Sequence, residues 1–189
     1  MPRDYSLDKT PPNAMRKADR ACDDAWIRQF LASAQIGHIA TRWENQPFIT
    51  PNLFWYDPER HEIYFHTSTV GRLRANSERF PEVCFEASQM GALLPSNVAV
   101  EFSMQYESVV AFGRIRLIDD PEEQRRALYG LIDKYFPGMQ PGVHYRPIAD
   151  SELKPTAVFA IAIDSWSGKR SWPERARQSS DWPPLADPT

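Results

Sequence analysis

Within residues 63–85, "IYFHTSTVGRLRANSERFPEVCF", three hydroxyl side chains, Thr67, Ser68 and Thr69, stand just ahead of Gly71 and Arg72. Hydroxyl donors, a backbone left open at a glycine and a guanidinium that can hold two oxygens at once are what a phosphate needs. The stretch reads as strand, polar turn, helix and strand. A helix beginning near Thr69 or Val70 leaves its first amide hydrogens unpaired, and their partial positive charge favours an anion. The same residues also suit ordinary capping by Ser68 or Thr69, with Arg72 in solvent. His66 ends the strand, alternating with Phe65 and Thr67. It is a candidate proton donor near neutral pH and, equally, a histidine of the kind that packs in a sheet.

Other chemistries find no support. The chain has no GxGxxG, no GxxxxGK[ST] and no GxSxG, so neither a Rossmann dinucleotide site, a triphosphate loop nor a nucleophile elbow is expected. Its four histidines, His38, His61, His66 and His144, show no HExxH spacing, and no metal site is expected. Cys22 and Cys84 form neither a disulfide framework nor a CxxC pair. The formal charge of -3 is the balance of 22 basic and 25 acidic residues that are well mixed, which argues against nucleic acid as a partner. No apolar run approaches the roughly 20 residues that span a bilayer. The start, "MPRDYSLDKTPPN", lacks the apolar middle of a secretion signal, and a cytoplasmic protein without membrane contact is expected.

The elements that must position these residues follow from periodicity. At 189 residues, 42% hydrophobic and 25% charged, the chain suits one globular domain. Residues 1–20, with Pro11-Pro12, read as an arm, 21–170 as the domain and 171–189 as a proline-rich tail. After Asp23 and Asp24, the spacing of Ile27, Phe30, Leu31 and Ala34 predicts a helix. "IGHIATRW" and "FITPNLFWY" predict a hairpin across "ENQP". A second turn, "DPERHE", leads to "IYFHT", giving three consecutive antiparallel strands. A helix over about 70–79 and a strand at "EVCFEA" come next. In "YESVVAFGRIRLID", Val110, Phe112, Arg114 and Arg116 alternate with Ala111, Gly113, Ile115 and Leu117, so one face turns apolar and the other polar, with a bend or bulge at Gly113. Asp120 before Pro121 starts a helix whose Leu128, Leu131, Ile132 and Tyr135 share a face. A loop over 137–155 precedes the last strand, "TAVFAIAID". About six strands and three helices predict a mainly β fold, a small antiparallel barrel with flanking helices.

"GHIATRWENQPFITPNLFWYDPERHEIYFHTSTVGRLRANSERFPEVCFE" followed by "YESVVAFGRIRLIDDPEEQRRAL" resembles the pyridoxamine 5'-phosphate oxidase-like superfamily of flavin-binding split barrels, and within it the nitroimidazole reductase-like branch. The resemblance covers roughly residues 20–170. Its carrying features are the proline-bearing second strand, the "YFH" strand end, the "GR" helix start and the Y-x-S-V-V-x-F-G strand. It implies a six-stranded antiparallel split β-barrel, homodimeric, with FMN in a groove between the subunits. It also implies a phosphate held by Thr67, Ser68 and Arg72, a flavin ring along Thr50, Pro51, Asn52 and Leu53, approaches from Tyr106, Glu107 and Ser108, and contact with Trp166. With His66 in the catalytic position, the implied activity is electron transfer from a nicotinamide nucleotide to a small electron-poor acceptor, a nitroaromatic or a quinone. A non-catalytic flavin- or haem-binding protein, with His66 as iron ligand, is the alternative, and a barrel that has lost its cofactor is a third reading. The sequence "GKRSWPERARQ" does not reproduce the arginine-rich substrate motif of pyridoxamine oxidases proper, which argues against vitamin B6 phosphates. Leu73 and Arg74 stand where many relatives carry a lysine.

Overall fold

The computed structural model describes residues 11–185; parts of the expected N-terminal arm and C-terminal tail lie outside them. Eight antiparallel strands run in chain order as β1 (Ala21–Cys22), β2 (Gly37–Trp43), β3 (Gln46–Asn52), β4 (Trp55–Asp57), β5 (Glu62–Ser68), β6 (Glu82–Leu94), β7 (Ser103–Leu117) and β8 (Thr156–Ser171). Four α-helices accompany them among the described residues: α1 (Asp24–Ser33), α2 (Arg72–Arg79), α3 (Pro121–Tyr135) and the short α4 (Asp150–Leu153). The sheet order is β3-β2-β6-β7-β8-β5-β4, with β1 added alongside β8. The six long strands are the six the sequence announces. The two extra ones, β1 and β4, are only two and three residues long.

Local chemistry places the helices where the sequence puts them. Asp23 caps α1 by accepting from the Trp26 N–H at 2.8 Å, and Ile27, Phe30 and Leu31 are buried. Asp120 caps α3 through the Glu123 N–H at 2.9 Å, with Pro121 in the first turn, where it lacks only a hydrogen that would be unpaired anyway. Residues 150–153, expected within a loop, form α4. The loop's prolines, at 137, 141, 147 and 155, leave room for that one turn.

The run of three consecutive strands breaks after the second. β2 and β3 pair down to Trp43↔Gln46 across the two-residue turn Glu44-Asn45, with Glu44 in the left-handed region at φ 52. The expected strand "FITPNLFWY" then divides at Leu53-Phe54. β3 stays on one sheet edge while β4 pairs with β5 on the other. Phe54, fully buried, packs edge-on against Phe85, so the chain crosses the barrel interior between the two edges. The Asn52 side-chain amide bridges them by donating to the His66 carbonyl at 3.0 Å.

On β7 the alternation is borne out: Val109, Ala111, Gly113 and Ile115 are buried, and Arg114 and Arg116 are exposed. The register against β8 slips between Phe112 and Gly113, whose partners are Ser165 and Ile163, leaving Asp164 unpaired. A Cβ on Gly113 would lie 2.0 Å from the Ala162 carbonyl oxygen, so only glycine fits there. The final strand, expected to end near Asp164, continues to Ser171. The core holds Ile27, Leu31, Ile39, Phe65, Phe159 and Ile161, and a second cluster, Tyr64, Ile118, Ala127 and Val158, joins α3 to the sheet. An ionic lattice reinforces that joint: Arg116 holds Glu62 at 3.0 Å and Glu123 at 2.7 Å, and Tyr64 donates to Glu123 at 3.0 Å.

Candidate functional site

Alternation along β5 decides which way each candidate points. Ile63 and Phe65 belong to the barrel core, and Phe65 stacks on Phe159 at 5.5 Å. The other face carries Tyr64, His66 and Ser68 towards α3. There His66 lines a cavity of about 360 Å³ together with Leu53, Leu128, Leu131, Ile132 and Tyr135. The α3 face legible in the sequence is therefore divided: Leu131 is buried, while Leu128, Ile132 and Tyr135 remain half-exposed at the cavity. At its rim Arg146 pairs with Glu152 at 2.6 Å. The Tyr135 hydroxyl accepts from the Phe54 N–H at 3.0 Å and donates to the Gln35 carbonyl at 2.8 Å, which fixes the crossover on which Leu53 sits. Burial pushes the Tyr135 phenol up. His66 keeps solvent-accessible surface, yet its ring lies among apolar side chains, and this desolvation lowers its pKa below the ordinary value. At pH 7 the imidazole is neutral, with one N–H to donate.

Beside it lies the turn. β5 ends at Ser68, whose hydroxyl oxygen accepts from the Val70 N–H at 3.3 Å. Gly71 precedes α2 at φ 153 and ψ 173, with no atom within 4 Å of where a Cβ would stand. The helix begins at Arg72, two or three residues later than the sequence suggests, because the glycine carries the bend. No side chain caps α2, so its first amide hydrogens are left for another acceptor. Arg74 is committed to Glu78 at 2.8 Å and to the Thr69 carbonyl at 3.0 Å. Arg79 pairs with Glu44. Among the described residues Arg72 has no carboxylate partner; its guanidinium stands over the Phe48 ring at 5.2 Å and the Trp43 ring at 5.9 Å. Open backbone, uncapped amides and one unpaired guanidinium fit a phosphate. Thr50, Pro51 and Asn52, which end β3, and Leu53, which follows it, lie near this end, where Asn52 bridges to His66.

The remaining candidates stand elsewhere. His66 pairs with Val158 of β8, whereas Ser108 pairs with Lys169, eleven residues farther along the same strand, or roughly 35 Å of extended chain. Tyr106, Glu107 and Ser108 occupy that far end, and each of the first two is engaged within the chain. Arg20 donates to the Tyr106 hydroxyl at 2.6 Å. Burial raises the Tyr106 phenol, but Arg20 and Lys169 together outweigh it, and its pKa falls below the ordinary value. Glu107, buried, is held by Arg170 at 2.7 Å and by Gln89. Trp166 donates from Nε1 to Asp24 at 2.8 Å and packs on His61 with ring centres 4.5 Å apart. One chain therefore gathers His66, Thr67, Ser68 and Arg72 with residues 50–53, and sets Tyr106, Glu107, Ser108 and Trp166 apart from them.

Sequence reasoning missed the cavity, which needs the 137–155 loop folded back: Tyr145, Arg146 and Ile148 close it. The clue available was the apolar α3 face, too wide for one core contact. It also missed Lys134, whose ammonium donates to the Leu31 carbonyl at 3.0 Å and lies 3.4 Å from the centre of the Phe54 ring. Burial without a carboxylate brings its pKa down to about 7. Among the described residues no His, Cys, Asp and Glu side chains gather into a metal-binding group, and no helix is long and apolar enough to cross a membrane.

The family model of pyridoxamine 5'-phosphate oxidase matches residues 23–170. The flavocytochrome Anf3 of Azotobacter vinelandii superposes with a TM-score of 0.77 at 25% identity, covering 89% of this chain and 76% of that one. An FAD- and haem-binding protein from Mycobacterium smegmatis gives a TM-score of 0.70 at 25% identity, over 82% of this chain and 75% of the other. A candidate 5-nitroimidazole antibiotic resistance protein from Bacteroides thetaiotaomicron gives 0.66 at 22% identity, over 79% and 86%; at that identity the likeness is one of fold. No curated protein matches the chain.

Proposed function

The chain belongs to the pyridoxamine 5'-phosphate oxidase family, and from that premise we propose a homodimeric, FMN-dependent oxidoreductase that takes electrons from a nicotinamide nucleotide and passes them to a small electron-poor acceptor, a nitroaromatic or a quinone. The observation that carries this reading is one juxtaposition. The uncapped turn at Ser68–Arg72, fit for a phosphate, lies beside an apolar cavity into which a neutral imidazole opens. Flavin binding has further support in relatives named as a flavocytochrome and as FAD- and haem-binding.

A bound flavin supplies the redox chemistry; the residues supply the rest. Arg72, the Ser68 and Thr67 hydroxyls and the first amides of α2 hold the phosphate. Thr50, Pro51, Asn52 and Leu53 border the ring. Leu128, Leu131 and Ile132 exclude water from the acceptor. His66, neutral at pH 7, donates one ring N–H to an acceptor oxygen and thereby stabilises negative charge as it develops there.

One feature of the surface favours the dimer. The outer sheet face carries an apolar row, Ile49, Ala40, Cys84 and Phe112, neighbours across four strands, with Ile49 at 69% exposure. The aromatics Phe54, Trp55 and Tyr56, whose number in the sequence suggests surplus apolar surface, do not supply it: Phe54 and Tyr56 are buried inside the chain and Trp55 is half-buried against Tyr64. In the proposed dimer, Tyr106, Glu107, Ser108 and Trp166 of one subunit approach the turn of the other, which lies beyond their reach within one chain.

A haem reading is kept by the same imidazole: neutral at pH 7 and open to an apolar cavity, His66 suits an iron ligand. The absorption spectrum of the purified protein tests both. Flavin bands that bleach with a nicotinamide nucleotide and return with a nitroaromatic or quinone are expected. A Soret band alone moves the protein to the haem reading, and a colourless protein that takes up no FMN refutes both.

A further inference from the structure

At the far end of the sheet, the segment before β1 and the segment after β8 form the walls of a cleft of about 640 Å³. Five cationic side chains line it, Lys17, Arg20, Arg170, Arg175 and Arg177, against two carboxylates, Asp19 and Glu101. In a chain whose formal charge is -3, this is a marked local excess of positive charge. Arg170 is spent on Glu107 and Arg20 on the Tyr106 hydroxyl. Among the described residues Lys17, Arg175 and Arg177 have no carboxylate partner. Trp172, 38% exposed, lines the same cleft and lies 5.7 Å from the Arg170 guanidinium.

The walls are fixed in place. Ala21 and Cys22 pair with Lys169 and Gly168, tying the first wall to β8. Gln105 donates to the Pro173 carbonyl at 3.0 Å and Ser96 to the Arg177 carbonyl at 2.6 Å. Asn97 bonds both ways with the residue that follows the second wall by two, accepting from the Ser179 N–H and donating to its carbonyl, each at 2.8 Å. Cations converging on a pinned cleft repel one another, and an anion there relieves that repulsion without reordering the backbone. An exposed indole beside them offers a stacking face for a base.

We infer that this cleft is a second anion site, separate from the Ser68–Arg72 turn, and that it takes the adenosine diphosphate group of a nucleotide. The cations hold the two phosphates and Trp172 stacks on the adenine. The nicotinamide dinucleotide donor brings that group, and naming this source rests on the oxidoreductase reading above.

Calorimetric titration of the full-length protein with ADP tests the site without any redox activity. Saturable binding is expected, weaker as salt is raised, with adenosine binding much less. Arg175→Glu combined with Arg177→Glu should weaken ADP by about tenfold or more. Both side chains are exposed, and the alanine pair, with an unchanged circular dichroism spectrum, guards against misfolding. No saturable ADP binding by the parent protein, or equal affinity in both variants, overturns the inference. A variant that keeps flavin but shows a raised KM for the dinucleotide identifies the donor as the source. Should the protein prove not to be an oxidoreductase, the ADP titration still stands or falls by itself.

Discussion

The two ends of the β5-β8-β7 sheet hold the same kinds of residue in opposite states. At the α3 end, Arg72 has no carboxylate among the described residues, the start of α2 has no cap, and His66 opens on an apolar cavity. At the far end, the Tyr106 hydroxyl is bound by Arg20, Glu107 by Arg170 and Gln89, and the Trp166 indole by Asp24. A polar group without a protein partner is available to a ligand; one already paired must give up a hydrogen bond first. The first end is therefore the better placed to hold a phosphate, whereas at the second Tyr106, Glu107 and Trp166 are already engaged within the chain.

The severest way to break that comparison is to keep the two ends from meeting. Ile49→Glu with Phe112→Glu places charge on the apolar outer row and should yield a monomer in sedimentation that loses flavin almost entirely; a monomer with full flavin would show that one chain suffices. Next in size is His66→Asn. It should keep flavin but slow oxidation of the reduced protein by an electron-poor acceptor by about 10² in stopped flow, if proton donation limits that step. Parental rates would remove His66 from the chemistry. Arg72→Ala removes one charge-assisted contact and should weaken FMN by roughly tenfold to a hundredfold, about 1.5 to 3 kcal/mol. An unchanged dissociation constant returns Arg72 to its place over Phe48 and Trp43. The smallest effect belongs to the far end. Trp166→Phe loses the bond to Asp24 and should cost about 1 kcal/mol of stability in denaturant unfolding, with FMN affinity moved by less than about threefold. A larger loss of FMN than of stability would mean the indole N–H serves the flavin, against the contrast drawn between the ends.

The turn and the far cluster were not equally legible. Thr67, Ser68, Gly71 and Arg72 are neighbours in sequence, so hydroxyls, glycine and guanidinium announce one feature wherever the chain places it. Residues 106–108 and Trp166 are named by resemblance alone, and nothing in their own spacing says that Arg20, Asp24 and Arg170 claim their polar atoms. Those partners come from α1, from the segment before it and from the end of β8, and such distant contacts leave no local pattern. The cavity beside His66 has the same origin, since Tyr145, Arg146 and Ile148 reach it across a loop that reads only as proline-rich.

By itself the sequence determined what repeats or caps over a few residues. It specified α1 and α3 through Asp23 and the Asp120-Pro121 pair, the inward and outward faces of β7 through alternation, and the bulge at Gly113, where only a missing side chain lets β8 approach. These follow from backbone hydrogen bonding and side-chain period, which act within a turn or a strand. The tertiary structure alone decided that β4 leaves β3 for the opposite edge, that His66 opens on a cavity, and that five cations face one cleft. Each of these depends on which distant segments bury one another. Alternation marks which face of a strand is apolar, but the pairing that covers that face is settled only when the whole core closes.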